Sequence, residues 1–368
     1  MIPLRGATKG ALVVTTQESP LPSYSHPAKN TIRDHWTQFV VHGLDAKRLR
    51  HIRIWFLPGP DTLELPAYQG MGIPTEHLQG FEWQKTRALR IRERCPCLPL
   101  YAGSLQKALA ERPGVILTSP DWAHLDFDGS AFSFDNEVTE VVRRMNLDIS
   151  PCLGVSSIAT RDPARILRSM NELSLWKGLF PHSLDQGIDL LRAGNERLGL
   201  VLQEPSATYA ICRELAWLFH ILYAFGSRSY GPNDARAAET FRHDISHLRT
   251  RVHQELDSKT KSILRTPAVI PMAAVEDIRS VFMKRKVPIR LENWSRFACQ
   301  SHPWRKWRWA WHFRFAYSST SVPLLAWAQR MLFQHPPLHV VDFTGAVVGD
   351  RKKGVCRLCS TSTEKDSP

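Results

Sequence analysis

Short apolar runs alternate with helical segments from His51 onward, and this alternation constrains the fold more than any other feature of the chain. Five runs are typical of buried strands, and they span residues 52–57, 78–83, 98–103, 115–117 or 123–127, and 152–158. The helical segments between them span residues 62–70, 85–94, 105–111 and 136–145. Strands and helices that alternate in this way build a parallel sheet with helices on its faces. The pattern therefore predicts an α/β fold with a doubly wound, mostly parallel sheet.

The rest of the chain predicts a division into four regions. Residues 1–45 form an N-terminal arm, rich in Thr, Ser and Pro at its start, and residues 46–180 hold the α/β domain. Residues 181–345 hold a helical hairpin, predicted over 206–225 and 233–256, followed by a basic aromatic strand. Residues 346–368 are a polar segment, which we expect to be a disordered tail.

The charge balance favours an anionic partner. Lys and Arg number 48 against 35 Asp and Glu, a formal net charge of +13. We expect nucleic acid, either DNA or RNA, to be the partner, with solubility alone as the alternative explanation of the charge.

Membrane and metal sites are not expected. The most apolar run, residues 216–225, is too short to cross a bilayer, and the first residues lack the apolar segment of a secretory signal, so we expect a cytoplasmic protein. Seven cysteines, an odd number, indicate reduced thiols. Neither of the two close pairs, Cys95 with Cys97 and Cys356 with Cys359, has the second half-site that a zinc ion requires.

An alternating segment at 307–317 carries an aromatic residue at every odd position and Arg, Ala or His at every even position. A period of two sends alternate side chains to opposite faces of a strand. We expect the aromatic face to pack in a core, with a platform for stacked bases as the alternative. The other face carries Arg308 and Arg314. With the adjoining Arg305 and Lys306, this face is predicted to meet water or the phosphates of nucleic acid.

The residues that end the predicted strands form the candidate site. Ligands of doubly wound sheets bind beyond the carboxyl ends of the strands. An acid that ends the second strand can accept hydrogen bonds from both hydroxyls of a ribose, and an adjacent aromatic ring can cover an adenine. Glu82 and Trp83 supply this pair. The full set of candidates is Pro58, Gly59, Glu82, Trp83, Gly103, Ser104, Asp126 and Asp128.

In order and spacing, these strand ends resemble those of the class I S-adenosylmethionine-dependent methyltransferases, which have a Rossmann-like fold, over roughly residues 50–165. The resemblance implies that S-adenosylmethionine lies across residues 58–60 with its ribose on Glu82. The adenine would then lie near Trp83, Gly103 and Ser104.

The same resemblance implies two roles at the end of the fourth strand. Methyl transfer requires in-line placement of the acceptor and removal of a proton. Asp126, together with Asp128, would orient or deprotonate the accepting nitrogen or oxygen. The first loop departs from the family pattern, because Gly59 stands between two prolines where the family has several glycines. A catalytically inactive protein of this fold, which binds nucleic acid or a partner protein, is therefore the alternative.

The segment Asp126-x-Asp128-Gly129-Ser130 also resembles the first motif of haloacid-dehalogenase-like phosphatases. In that family the first carboxylate attacks phosphorus and both carboxylates hold Mg²⁺. A third interpretation is that the two acids only cap a turn.

Overall fold

The computed structural model describes residues 26–111, 119–127, 134–146, 150–158, 286–300, 307–323 and 338–348, together with Ala224. The strands in these ranges are β1 (Ile54–Phe56), β2 (Leu78–Glu82), β3 (Leu100–Ala102), β4 (Trp122–Asp126), β5 (Cys152–Ile158), β6 (Lys286–Gln300), β7 (Trp307–Pro323), β8 (Leu338–Val341) and β9 (Val347–Val348). The helices are α1 (Pro27–Val41), α2 (Ala46–Leu49), α3 (Leu65–Gly70), α4 (Lys85–Arg94), α5 (Leu105–Ala110) and α6 (Asp135–Arg144), with a 3-10 turn at Thr75–His77.

The described strands form one sheet in the order β3-β2-β1-β4-β5-β7-β6-β8-β9. The first five strands are parallel to their neighbours. They have the 3-2-1-4-5 order of a doubly wound Rossmann-like sheet, in which the chain changes its direction of growth between β1 and β4. β7 lies between β5 and β6 and is antiparallel to both. The predicted α/β class with a mostly parallel sheet is confirmed.

Several elements lie where the apolar pattern predicts them. The basic helix predicted at 85–94 is α4, and the strand predicted at 152–158 is β5. Of the two options for the fourth strand, the second is β4. Apart from Ala224, the helices predicted within 206–225 and 233–256 lie outside the described residues. Within the described residues, no helix has the length and apolar character that crossing a membrane requires.

Part of the predicted N-terminal arm is a helix that packs on the sheet. The His26 side chain accepts a hydrogen bond from the Ala28 amide and caps the start of α1. Trp36 and Val40 are buried in the same apolar cluster as β1 and β4. Residues three and four apart share one face of a helix, and the apolar residues of α1 follow this spacing: Ile32, Trp36, Phe39 and Val40. Residues 27–41, which the sequence analysis assigns to the N-terminal arm, thus form a helix that packs on the sheet.

The later strands extend the same sheet. β6, β7 and β8 come from the region that the sequence analysis places after the α/β domain, yet all three pair within the one sheet. β9 belongs to the predicted tail but pairs with β8. Strand β7 is internal in the sheet, so both of its edges pair with neighbouring strands.

Both faces of β7 are buried along residues 308–315. The aromatic face is core, as predicted, with Trp311, Phe313 and Phe315 shielded from solvent. The opposite face is covered by α1, because Ala310 packs with Ala28 and Ile32. The expectation that this face meets water or phosphate is wrong.

Candidate functional site

A cavity of about 380 Å³ lies at the carboxyl ends of β1, β2, β3 and β4. This volume lies within the range of about 300–1,000 Å³ that is usual for small-molecule sites. Seven of the eight candidate residues line the cavity: Pro58, Gly59, Glu82, Trp83, Gly103, Ser104 and Asp126. The eighth, Asp128, lies outside the described residues. The strand ends thus converge on one space, as the order of the sheet requires.

The first loop leaves room for a ligand despite its two prolines. The Leu57 amide donates to the His124 carbonyl at 3.2 Å, which continues the pairing of β1 with β4, and the chain then turns at Gly59. Gly80 in β2 allows the loop to pack closely, because a Cβ at this position would lie 3.1 Å from Pro58 Cγ. The prolines therefore pack against β2, and the cavity lies beside Gly59.

The end of β2 presents one buried carboxylate and one exposed aromatic ring. Glu82 is buried, and its Oε1 accepts a hydrogen bond of 2.8 Å from the Gln84 amide. This bond orients the carboxylate where α4 begins. Trp83 also lines the cavity, although 66% of the residue is exposed. The pair has the chemistry to accept from a hydroxyl and to stack on a planar ring.

At the end of β3 the backbone of Gly103 packs closely against the ring of Tyr101. A Cβ at Gly103 would lie 2.5 Å from the ring of Tyr101, so a larger residue cannot fit there without a shift of that ring. Ser104 Oγ accepts a hydrogen bond of 3.1 Å from the Lys107 amide and caps α5. Its hydroxyl hydrogen remains a donor within the cavity wall.

The end of β4 carries an ion-pair cluster around Asp126. Asp126 Oδ2 lies 3.1 Å from Lys29 Nζ of α1, and Oδ1 lies 2.5 Å from a guanidinium nitrogen of Arg308 in β7. The Ser156 hydroxyl of β5 also donates to Oδ1. Burial by itself would raise the pKa of Asp126, but Arg308 and then Lys29 outweigh burial and hold it well below its usual range.

This cluster bears on the roles predicted for Asp126. A carboxylate with a lowered pKa is a weak base, so its setting suits orientation of a group better than proton removal. Both of its oxygens are also engaged by cations of the chain, Lys29 and Arg308. The geometry therefore does not favour the attack on phosphorus that the phosphatase interpretation requires.

The basic residues of β7 are buried and form hydrogen bonds inside the protein. Arg308 and Arg314 are each only 7% exposed. Arg314 donates to the Phe39 carbonyl and, at 2.5 Å, to the His42 carbonyl at the end of α1. These bonds satisfy carbonyl groups that a helix leaves without partners at its C-terminus. Neither guanidinium group lies on an exposed phosphate-binding face, and Arg305 and Lys306 lie outside the described residues.

The cavity also contains charged residues that sequence reasoning did not identify. Arg33 and Glu64 form a buried ion pair, with 2.6 Å between Nε and Oε1. Arg87 and Glu137 line the same space. The one available signal was the spacing of Lys29 and Arg33, four residues apart and therefore on one face of α1. Among the described residues, the cavity lining thus carries four carboxylates and two guanidinium groups.

Comparisons with known proteins give no family for this chain. No family model matches it, and no curated protein matches it. Among solved structures, it is similar to PKMT2 from Rickettsia typhi, with 13% identity and a TM-score of 0.31, over 81% of this chain and 54% of that chain. For PKMT2 in complex with AdoHcy the identity is 12% and the TM-score 0.33, over 82% of this chain and 55% of that chain. This chain therefore spans about half the length of PKMT2.

A third similar structure is described as a Zn-dependent alcohol dehydrogenase from Rhodobacter sphaeroides. It has 11% identity and a TM-score of 0.26, over 81% of this chain and 100% of that chain. Likenesses at these TM-scores carry no argument about function, and the proteins found differ in their chemistry. The Rossmann-like α/β fold of this chain is established by its own sheet order.

Proposed function

We propose that this chain is an S-adenosylmethionine-dependent methyltransferase-like protein that acts on or binds nucleic acid. The observation that carries the proposal is the cavity at the carboxyl ends of β1 to β4, with Glu82 at the end of β2. The sheet supports it as well, because its 3-2-1-4-5 strand order places the cavity at the carboxyl ends beside the reversal of strand order, where such sheets bind nucleoside ligands.

The charges of the cavity favour a cationic nucleoside over a phosphorylated one. Four carboxylates line the described part of the cavity against two guanidinium groups, and Lys29 and Arg308 balance the charge of Asp126 from outside the lining, so the described residues leave no excess of cations for a diphosphate. S-adenosylmethionine carries a sulfonium and an ammonium cation against one carboxylate, whereas a dinucleotide carries a diphosphate. The cavity therefore suits the sulfonium nucleoside.

The residues present fit this cofactor at the nucleoside end. Glu82 would accept hydrogen bonds from the ribose hydroxyls, and Trp83 would stack on the adenine beside Gly103 and Ser104. When bound, S-adenosylmethionine supplies an electrophilic methyl group. Asp126, held in its charged form, would orient the acceptor at the end of β4.

Cofactor binding is the first test of the proposal. We expect isothermal titration calorimetry to show binding of S-adenosylmethionine and S-adenosylhomocysteine to the full chain. Glu82→Ala should weaken both by about tenfold or more, because each charge-assisted hydrogen bond contributes about 1.5–3 kcal/mol. The matched control is Glu76→Ala, an exposed acid of the preceding 3-10 turn, which should bind like the wild type. No binding by the wild type, or equal binding by Glu82→Ala, contradicts the proposal.

A non-catalytic scaffold is the second candidate function, and one observation favours it. Lys29 and Arg308 already form ion pairs with the carboxylate of Asp126. This carboxylate is therefore less available to orient a methyl acceptor at the end of β4. Transfer of a labelled methyl group from S-adenosylmethionine to DNA or RNA distinguishes the candidates. Transfer supports the enzyme, and cofactor binding without transfer supports the scaffold.

The nucleic-acid partner is proposed to meet α4 rather than β7. Helix α4 contains five basic residues and one acid. Lys85, Arg92 and Arg94 are exposed on it, and the exposed ring of Trp83 stands just before it. Cations beside an exposed aromatic ring are the features that bind a single strand, through its phosphates and through stacking of a base on the ring face of Trp83 that the adenine leaves free.

A further inference from the structure

The carboxylate of Glu64 is buried in the cavity wall with one of its two oxygens unpaired. Glu64 lines the cavity and is only 4% exposed. Its Oε1 accepts a hydrogen bond of 2.6 Å from Arg33 Nε. Its Oε2 is buried and has no hydrogen-bond partner among the described residues. A buried polar atom without a partner is destabilising, and more so when it belongs to a charged group. Glu64 Oε2 would therefore be stabilised by a ligand group that donates a hydrogen bond to it.

The hydrogen-bonding groups of the side chains around Glu64 already have partners other than its Oε2. The guanidinium group of Arg33 is held on Oε1 and by Asn30 Oδ1 at 2.8 Å. The hydroxyl of Tyr68, one turn along α3, accepts from Trp36 Nε1 at 3.1 Å and lies 3.5 Å from His124 Nδ1. The wall around Glu64 is thus a hydrogen-bonded arrangement that leaves Oε2 as its open acceptor.

Glu64 and Glu82 reach the cavity from different elements. Glu64 directly precedes α3, and the hydroxyl of Tyr68 in this helix lies 3.5 Å from His124 Nδ1 in β4. Glu82 ends β2, on the other side of β1 in the sheet. A ligand that contacts both acids must therefore cross the first loop beside Gly59.

We propose that Glu64 Oε2 accepts a hydrogen bond from a primary ammonium group of the bound ligand, so that the cavity selects a nucleoside that carries an amino acid. The inference rests on the proposed function and adds the group by which the site recognises its ligand. An ammonium group has three donors, is compact, and forms its strongest hydrogen bonds with a carboxylate. A nucleoside without this group would leave Oε2 buried and unpaired.

The test compares two ligands that differ in the ammonium group alone. The probes are S-adenosylhomocysteine and its deaminated analogue, which keeps the carboxylate, and calorimetry on the full chain measures both. We expect the wild type to bind S-adenosylhomocysteine about tenfold or more tightly than the analogue, as one charge-assisted hydrogen bond implies. Glu64→Gln should reduce this ratio to near one and leave the affinity for the analogue unchanged. Glu76→Gln is the matched control and should keep the wild-type ratio.

Each outcome has a separate meaning. Equal affinity of the wild type for the two probes overturns the role of Glu64 and leaves the proposed function intact, and this result needs no substitution. A loss of both ligands in Glu64→Gln by the same factor also overturns it, because that result indicates a structural role. Binding of neither probe by the wild type overturns the proposed function together with the inference.

Discussion

At the scale of single residues, Asp126 is the point at which three elements of the fold meet. Its carboxylate joins Lys29 of α1 and Arg308 of β7, and the side chains of all three residues are largely buried. Removal of one partner from a buried ion pair leaves the other charge unpaired, which costs about 3–5 kcal/mol. The same carboxylate therefore contributes to stability whatever its role toward a ligand.

Asp126→Asn should lower the free energy of unfolding by about 3–5 kcal/mol at pH 7, as measured by urea denaturation, because Lys29 and Arg308 lose their counter-charge. The matched control is Asp34→Asn, an exposed acid of α1, which should stay within about 0.5 kcal/mol of the wild type. Arg308 and Lys29 lower the pKa of Asp126 in spite of its burial, so its contribution is present above the unfolded pKa of about 3.9 and is lost as the pH falls further. Equal stability of the two variants would contradict the assignment.

At the scale of elements, helix α1 connects the cavity to the far strands of the sheet. It supplies Arg33 to the cavity wall, and its last carbonyl groups accept from Arg314 of β7. Between these ends, His35 Nδ1 lies 3.0 Å from His312 Nδ1 of β7. Burial, followed by the neighbouring His339, lowers the pKa of His35 to about 4. Burial also holds the pKa of His312 well below its usual range. Both imidazoles are therefore neutral in the folded protein at neutral pH.

Acidification should weaken the packing of α1, because the unfolded chain protonates these two histidines at a higher pH than the folded chain does. Between pH 6.5 and about 4 the unfolded chain binds protons that the folded chain does not, so stability falls as the pH falls. Each such histidine contributes a slope of up to about 1.36 kcal/mol per pH unit. Urea denaturation at a series of pH values should show this slope, and His35→Leu should reduce it. His51→Gln removes an exposed histidine and should leave the slope unchanged. A wild-type slope near zero over this range would show that the pair binds protons in the folded chain as readily as in the unfolded chain, which contradicts the lowered pKa values.

The elements show what periodicity predicts and what it omits. The spacing of apolar residues predicts α4 and β5 at their observed bounds, because each has a clean period of its own. It also shows which residues of β7 share a face. The spacing does not show what covers that face. From the sequence alone Arg308 and Arg314 are expected to face solvent, whereas in the structure α1 packs over them. Helix α1 itself was missed because the Thr-rich and Pro-rich composition before it extended the apparent arm.

At the scale of the whole molecule, the candidate site could be predicted only in part. Parallel strands bring their carboxyl ends together whatever their distance in the chain, so residues as far apart as Gly59 and Asp126 are predicted to meet. Arg33 and Glu64 reach the cavity from helices, and the direction of a helix on a sheet depends on tertiary packing. For this reason, the ammonium site proposed for Glu64 could not be predicted from the sequence.

The net charge of +13 is a property of the whole chain, and its location on the surface decides what it binds. With Arg308 and Arg314 buried, α4 is the exposed basic element next to the cavity. Lys85→Gln combined with Arg92→Gln should make the slope of log K against log salt concentration shallower by about two, because each lost phosphate contact removes about one. Fluorescence anisotropy with labelled single-stranded DNA and RNA measures the slope between about 50 and 200 mM salt.

Two further variants distinguish nucleic-acid binding at α4 from binding that depends only on the net charge of the chain. Lys47→Gln combined with Arg48→Gln removes the same charge from the exposed surface of α2 and should leave the slope unchanged. Trp83→Ala should weaken binding by about 1–3 kcal/mol at every salt concentration, since it removes a stacking surface but no charge. If the α2 and α4 variants behave alike, the binding follows net charge alone, and α4 is not the contact surface. If the α4 variant alone flattens the slope and Trp83→Ala lowers affinity at constant slope, the strand lies along α4 with a base at the mouth of the cavity.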